Sequence, residues 1–407
     1  MEVNMAKRSD IPQFGPLSAV RVVHCSQSIA GPFAASLMAD MGADVIWVES
    51  SVGQDVSRIA PGMAAQLDRR NMRTICANIA TEEGREILLK LIKEADIFIE
   101  ASKPGQYAKW NLADDILWEA KPSLVITHIS GFGQFGDPDY VRRPSYDPIA
   151  QAFSGAMYMN GLPGRRSAPA EVSISDYYTG YMAAFASLAA YINARDTGKG
   201  ESIDVSQYES MLRCEAGWPL DSWNCSGRVF TQGKGNNSNV GFNSYVCKDG
   251  KEIYMVIIGP ALLKKLLSLL GLPYREGLFK DNVSNVKENT PAGDVLEKHI
   301  EDFCRERTSE EAEAAFVAAG LPCSRILRHE DMLANPHYIA RESITSWPRV
   351  GGGTITGQNI TPKLTHFPGQ IWRGCPTVGM DNEDILEELG YSAAWITECY
   401  TKGIIKK

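Results

Sequence analysis

The chain predicts an α/β fold, with a large domain built on a doubly wound parallel sheet and a smaller α+β domain inserted into it. Three observations carry this. Short apolar runs alternate with helical stretches through the first 130 residues, the pattern of strands joined by crossover helices. After a Gly/Asn-rich stretch at 226–242 the pattern changes to a hairpin followed by helices. A chain of 407 residues is also too long for one ordinary core.

Val20–His24 reads as a buried strand. Gly31-Pro32 opens a helix, because proline at the first helical position gives up only an N–H that has no partner there. That helix runs to about Met41, and Gly42 ends it. Asp44–Glu49 is the next strand. Thr81 caps a helix that places Ile87, Leu88, Leu91 and Ile92 on one face. Ile97–Glu100 and Leu124–Ser130 are further strands, and Tyr177–Ala194 is a long helix of small residues. Beyond the Gly/Asn-rich stretch, Ser244–Cys247 and Glu252–Ile258 flank Lys248-Asp249-Gly250 as a hairpin. Ala261–Leu270 is a helix closed by Gly271, and Thr308 with Glu311 forms a capping box ahead of another. The expected division is a large Rossmann-like domain over 1–225, a small domain over 226–330, and a return to the large domain over 331–407.

A net charge of −8 argues against a nucleic-acid binder, since a polyanion needs a broad basic face. An anionic ligand would need a local cationic patch. No apolar run reaches the roughly 20 residues that span a bilayer, and the first ten residues have no apolar core. The nine cysteines are scattered without a C-x-x-C pair, as expected of reduced thiols in a cytoplasmic protein. The histidines show no ligand spacing, so no metal is expected.

Gly131-Phe132-Gly133-Gln134-Phe135-Gly136 is a literal G-x-G-x-x-G after a strand. The dinucleotide fingerprint needs a helix N-terminus next, to receive the pyrophosphate. Asp137-Pro138-Asp139 follows instead, so a nicotinamide cofactor is not expected and the loop reads as a general ligand-contacting loop. Arg69-Arg70-Asn71-Met72-Arg73 reads as a basic loop cluster, and Lys103 and Lys109 follow the strand ending at Glu100. Two such clusters on the rim of an open sheet point to a phosphate-bearing ligand. Asp176 stands in Ser173-Ile174-Ser175-Asp176-Tyr177-Tyr178, just before the long helix. The local pattern favours a helix cap; a covalent nucleophile is the alternative.

Taken together these residues resemble a family III CoA-transferase, from about Phe14 to Ile404. The likeness rests on Ala30-Gly31-Pro32 with Gly42–Ile46, Gly131–Gln134, Tyr146-Asp147 with Ile149–Gln151, Asp176, Gly198–Val205, Gly379–Asp381 and Leu389–Tyr391, in that order. Within the family the chain looks most like the L-carnitine branch: Trp47 and Ala101-Ser102 stand where most members carry Lys and Asn-Phe.

The resemblance implies that Asp176 is the catalytic aspartate and that coenzyme A, delivered as acyl-CoA, is the co-substrate. It implies CoA contacts at Lys103, Ala30 and Arg69. Lys109 lies near a CoA-contacting arginine position for which Trp110 competes. Gly131 and Gly133 become candidate oxyanion donors. The acceptor would be a betaine acid such as L-carnitine, crotonobetaine or γ-butyrobetaine, with Tyr146, Trp218 and Trp223 as aromatic partners for its trimethylammonium group. An interlocked homodimer is implied as well. An acyl-CoA racemase is the nearest rival, but it needs a base where this chain has Tyr146, and a phenol titrating near 10 is a poor base at neutral pH.

Overall fold

The computed structural model describes residues 7–59, 64–161, 164–215, 220, 224 and 238–407. The chain divides into two units. Met1–Gly161, Arg165–Leu220 and Arg341–Lys407 form the larger, and Leu162–Gly164 with Asp221–Ala340 the smaller.

The larger unit holds a six-stranded sheet of β1 (Arg21–His24), β2 (Asp44–Glu49), β3 (Met72–Cys76), β4 (Ile97–Glu100), β5 (Val125–Ser130) and β6 (Glu201–Ser206). All neighbours are parallel, in the order β3-β2-β1-β4-β5-β6. Its main helices are α1 (Ala30–Asp40), α2 (Glu82–Glu94), α3 (Asp147–Ser154), α4 (Ile174–Thr197) and α5 (Gln207–Arg213). Alternate strand residues face opposite sides. Val23, Ile46, Ile75, Phe98 and Ile126 pack with Ile87, Leu88 and Leu91 of α2. Val22, Val45, Met72, Ile97 and Val125 pack with Ala34 and Met38 of α1 and Ala183 of α4. Both sheet faces are therefore covered, as a parallel sheet requires.

Two strands of this sheet go beyond the expected four. Residues 69–73 read as a basic loop, yet Met72 and Arg73 begin β3, beside β2. Cross-strand charge replaces the apolar pattern there: Arg73 donates to Asp44 of β2 at 3.1 Å and to Glu388 at 2.8 Å. The open edge of β3 is closed by side chains, since the Thr74 N–H donates to Asp381 at 2.8 Å and the Cys76 N–H to Asn382 at 2.9 Å. The other addition is β6, which pairs with β5.

The strand order reverses between β1 and β4. The loops leaving their carboxyl ends part from each other there and open a crevice, the place where doubly wound sheets bind ligands.

The smaller unit is built on an antiparallel sheet of β7 (Phe242–Val246), β8 (Glu252–Val256) and β9 (Cys323–Arg325). The β7–β8 turn carries Gly250 at φ 72°, the conformation that glycine tolerates best. Its core gathers Leu266, Leu296, Ile300 and Phe316. The Thr308–Glu311 capping box is formed in both directions, at 3.3 and 2.9 Å.

Candidate active site

A cavity of about 280 Å³ opens at the reversal point of the sheet. Gln27–Ala30 line it after β1, Ala101–Pro104 after β4, and Ser130 and Gly131 at the end of β5, with Asp176 among the lining residues. Lys103 and Arg143 are the cations of the lining, and among the described residues Asp176 is its one carboxylate and no histidine is present. This is a local positive patch on an acidic chain, of the kind an anionic ligand requires.

Asp176 is the third residue of α4 and is buried. It does not cap the helix. Asp147, at the start of α3, does so from outside: its Oδ1 accepts the Ser175 N–H at 2.8 Å and the Asp176 N–H at 3.3 Å. Gln151 donates to Asp147 Oδ2 at 2.6 Å, so both carboxylate oxygens of Asp147 are engaged. The Ser173 side chain makes no capping bond. The local pattern favoured a cap at 176; a tertiary contact supplies it from residue 147 and leaves the Asp176 carboxylate for the cavity.

Gln207, at the N-terminus of α5, donates its Nε2–H to Asp176 Oδ1. Ser145 fixes that amide by donating to Gln207 Oε1 at 2.9 Å. Burial, then the neighbouring Asp147 carboxylate, push the Asp176 carboxyl up to about 7, with the Gln207 bond acting the other way. Close helix packing sets this geometry. At Gly180 of α4 a Cβ would meet Ala30 O of α1 at 2.9 Å and Phe33 Cδ1 at 2.7 Å.

Of the residues singled out in the sequence, Asp176, Ala30, Lys103, Gly131 and Tyr146 come together on this cavity. Gly133 lies off its lining, at φ 90°, with its N–H donated to Ser130 Oγ at 2.9 Å. The helix after the glycines has only four residues, Pro138–Val141, and Asp137 caps it by accepting the Asp139 N–H at 2.8 Å. That carboxylate occupies the place a pyrophosphate would need. Lys109 is exposed and does not line the cavity. Trp110 lines a second cavity of about 170 Å³, which shares Gln27 and Ser102 with the first. Trp218 and Trp223 lie outside the described residues.

The Arg69–Arg73 cluster is not a free cationic patch. Arg69 is fully buried, pairs with Asp55 at 2.8 Å, donates to Ser28 O at 2.7 Å and stacks on Trp47 at 4.7 Å. Arg70 pairs with Asp40 at 2.6 Å. A run of arginines looks solvated in sequence because its partners, Asp40, Asp44 and Asp55, arrive from elsewhere in the chain. Gln207 and Arg143 escaped the sequence reading because neither stands in a pattern of its own, and Asp147, quoted with Tyr146 for the family likeness, was given no role at the site.

Beside the cavity, His128 on β5 joins Glu100 (Nδ1 to Oε1, 2.7 Å) and Asp114 (Nε2 to Oδ1, 3.0 Å). Burial works against its charge, but the two carboxylates outweigh that and raise its pKa to about 10. A histidine raised in the folded state stabilises fully below its unfolded value of about 6.5 and loses that contribution as pH rises through the folded one. Urea unfolding is therefore expected to show stability falling between about pH 6.5 and pH 10, a slope that His128→Gln lacks. An unchanged slope in that variant would remove the imidazolium assignment.

Among the described residues no group of His, Cys, Asp and Glu is placed to hold a metal ion, and no helix is long and apolar enough to cross a membrane. A family model described as CoA-transferase family III matches residues 17–382. The solved structure of a CAIB/BAIF family protein from Brucella suis is similar, with 27% identity over 93% of this chain and 100% of that one and a TM-score of 0.78. Rv3272 from M. tuberculosis shares the fold at 22% identity, over 91% of this chain and 99% of that one, with a TM-score of 0.76.

Proposed function

The chain belongs to CoA-transferase family III, and from that premise we propose that it moves CoA between betaine carboxylic acids through a covalent intermediate on Asp176. One observation supports the assignment above the others: Asp147 takes over the cap of α4, so a buried carboxylate stands uncapped on a cavity that also carries Lys103 and Arg143.

In this mechanism the ionised Asp176 attacks the thioester carbonyl of the donor acyl-CoA. The C–S bond breaks, CoA leaves as thiolate, and an acyl-aspartyl anhydride remains. The thiolate then attacks the aspartyl carbonyl. The anhydride C–O bond breaks, the first acid departs as carboxylate, and CoA is held on Asp176 as a thioester. The acceptor carboxylate attacks that thioester, and the two steps run in reverse. No proton or electron is gained or lost overall. Each attack on residue 176 turns its carbonyl oxygen into an oxyanion, and Gln207 Nε2–H already points at that oxygen. Lys103 and Arg143 would hold the CoA phosphates. Gln207→Ala is expected to lower kcat about 10²–10³-fold, the usual loss for one oxyanion donor, with little change in CoA affinity. A loss confined to KM would remove Gln207 from the chemistry.

The preference for L-carnitine, crotonobetaine or γ-butyrobetaine rests on Trp47 and Ala101-Ser102, where the chain resembles the carnitine branch, with Tyr146 on the cavity as an aromatic partner for a quaternary ammonium. Cytoplasmic location, the interlocked homodimer and the small-domain boundaries at 226 and 330 belong to the same proposal. Racemisation is disfavoured, because the described lining offers no second base opposite Asp176.

The test is mass spectrometry of the enzyme during turnover with an acyl-CoA and a panel of betaine acids. A CoA adduct on the peptide holding Asp176, released by hydroxylamine, is the expected result. Product formation with no adduct would overturn the covalent mechanism, and turnover of simple acids but not betaines would overturn the acceptor class.

A further inference from the structure

We infer that His128 is a positioning residue, which sets Lys103 against the CoA phosphates through Glu100 and the Ser102 N–H. The inference rests on reading Lys103 as a CoA contact.

Glu100 ends β4 directly opposite His128 on β5, and it is buried. Both of its oxygens are engaged. Oε1 meets His128 Nδ1 at 2.7 Å, and Oε2 accepts the Ser102 backbone N–H at 2.6 Å. The second bond draws the loop back onto the strand end just before Lys103. On the far side, the Gln106 N–H donates to Lys103 O at 3.0 Å and Gly105 turns the chain at φ 76°. Lys103 thus stands between two fixed points. The strut continues outward, because Asp114 accepts from His128 through Oδ1 and from Ser202 of β6 through Oδ2 at 2.6 Å. One imidazole ties the carboxyl end of β4 to β5 and, through Asp114, to Ser202 near the start of β6.

The charge is what makes the arrangement work. A cation beside a buried carboxylate offsets the cost of its burial, and an ionised acceptor holds a backbone N–H more strongly than a neutral one. Without the imidazolium, Glu100 would lose the charged donor that anchors its Oε1, and its grip on Ser102 would slacken. Lys103 has no carboxylate partner among the ion pairs of the described residues. It lines both the Asp176 cavity and a third one, about 410 Å³, on the His128 side. Among the described residues it is the loop backbone that aims it.

The experiment is calorimetric titration of free coenzyme A into the full chain, for the parent, His128→Gln, Lys103→Ala and the double variant. His128→Gln is expected to weaken CoA about tenfold, the size of one charge-assisted contact, with the KM of the acid acceptor unchanged. The double variant is expected to bind no more weakly than Lys103→Ala alone, because the two act through one contact. A purely structural role would instead move both substrates together with the melting temperature. Unchanged CoA binding in His128→Gln, or losses that add in full, overturn the strut while leaving Lys103 as a CoA contact. Unchanged binding in Lys103→Ala removes that contact and the inference with it. Should His128→Gln fold poorly, Asp114→Ala removes the outer arm alone and is expected to weaken CoA in the same direction; no change there counts against the strut.

Discussion

Asp176→Asn is expected to abolish CoA transfer, by about 10⁴-fold or more, while making the fold more stable above pH 7. The amide is a very poor nucleophile, so the covalent route closes. Its oxygen can still accept from Gln207, and α4 keeps its cap from Asp147. The stability gain follows from linkage. A carboxyl raised from 3.8 to about 7 in the folded state opposes folding once ionised. That penalty is absent below about pH 4, grows as pH rises, and is complete above pH 7, where it reaches at most about 4 kcal/mol. The melting temperatures of parent and variant are therefore expected to coincide near pH 4 and to diverge with rising pH, with the variant higher. In the parent, kcat/KM for the acyl-CoA is expected to rise with pH through about 7 as the nucleophile ionises. Substantial transfer by the Asn variant removes the nucleophile; equal melting at pH 8 removes the buried charge.

Asp55→Ala is expected to cost about 3–5 kcal/mol of stability, the penalty for stranding a buried charge. Arg69 is wholly buried, and its Nε and Nη1 have no hydrogen-bond partner among the described residues. Asp55 supplies its ion pair, at 2.8 Å. Burial pushes the Asp55 carboxyl up, but Arg69 and the Ser57 N–H more than offset that and hold it low. The contribution is therefore present above about pH 4 and lost as pH falls further. The pair also grips the cavity wall. Ser28 sits in the left-handed region at φ 63°, with its carbonyl accepting from Arg69 at 2.7 Å and its N–H donating to Asp55 at 3.4 Å. Loss of Asp55 frees this residue beside Ala30, and kcat/KM is expected to fall with stability. Urea unfolding of Asp55→Ala and of Asp55→Asn, which keeps the acceptor without the charge, measures both parts. A cost under about 1 kcal/mol for the Ala change would show that the pair contributes no more than an exposed one.

The strands β1, β2, β4 and β5 were legible because their burial on two faces writes continuous apolar runs. The helix after Thr81 was legible because it covers one face only, and the cap and the stripe of Ile87, Leu88 and Leu91 declare it. β3 was not, because an edge strand stabilised by Arg73–Asp44 pairing has no apolar signature. At the site, Lys103 and Gly131 could be placed by their position after strands, a rule of topology that needs no coordinates. Arg69 illustrates the opposite case: whether a cation faces water or a carboxylate depends on residues far away in sequence.

Taken alone, the sequence determined the parallel sheet, the change of character after residue 226 and the family, because each is written in local periodicity or in residues kept in order along the chain. Which carboxylate caps α4 and which faces the cavity was decided only by folding. Asp147 and Asp176 are 29 residues apart, and their roles depend on which backbone N–H groups each reaches. The pKa of Asp176 has the same origin, since burial and a like charge a few ångströms away are properties of three-dimensional packing.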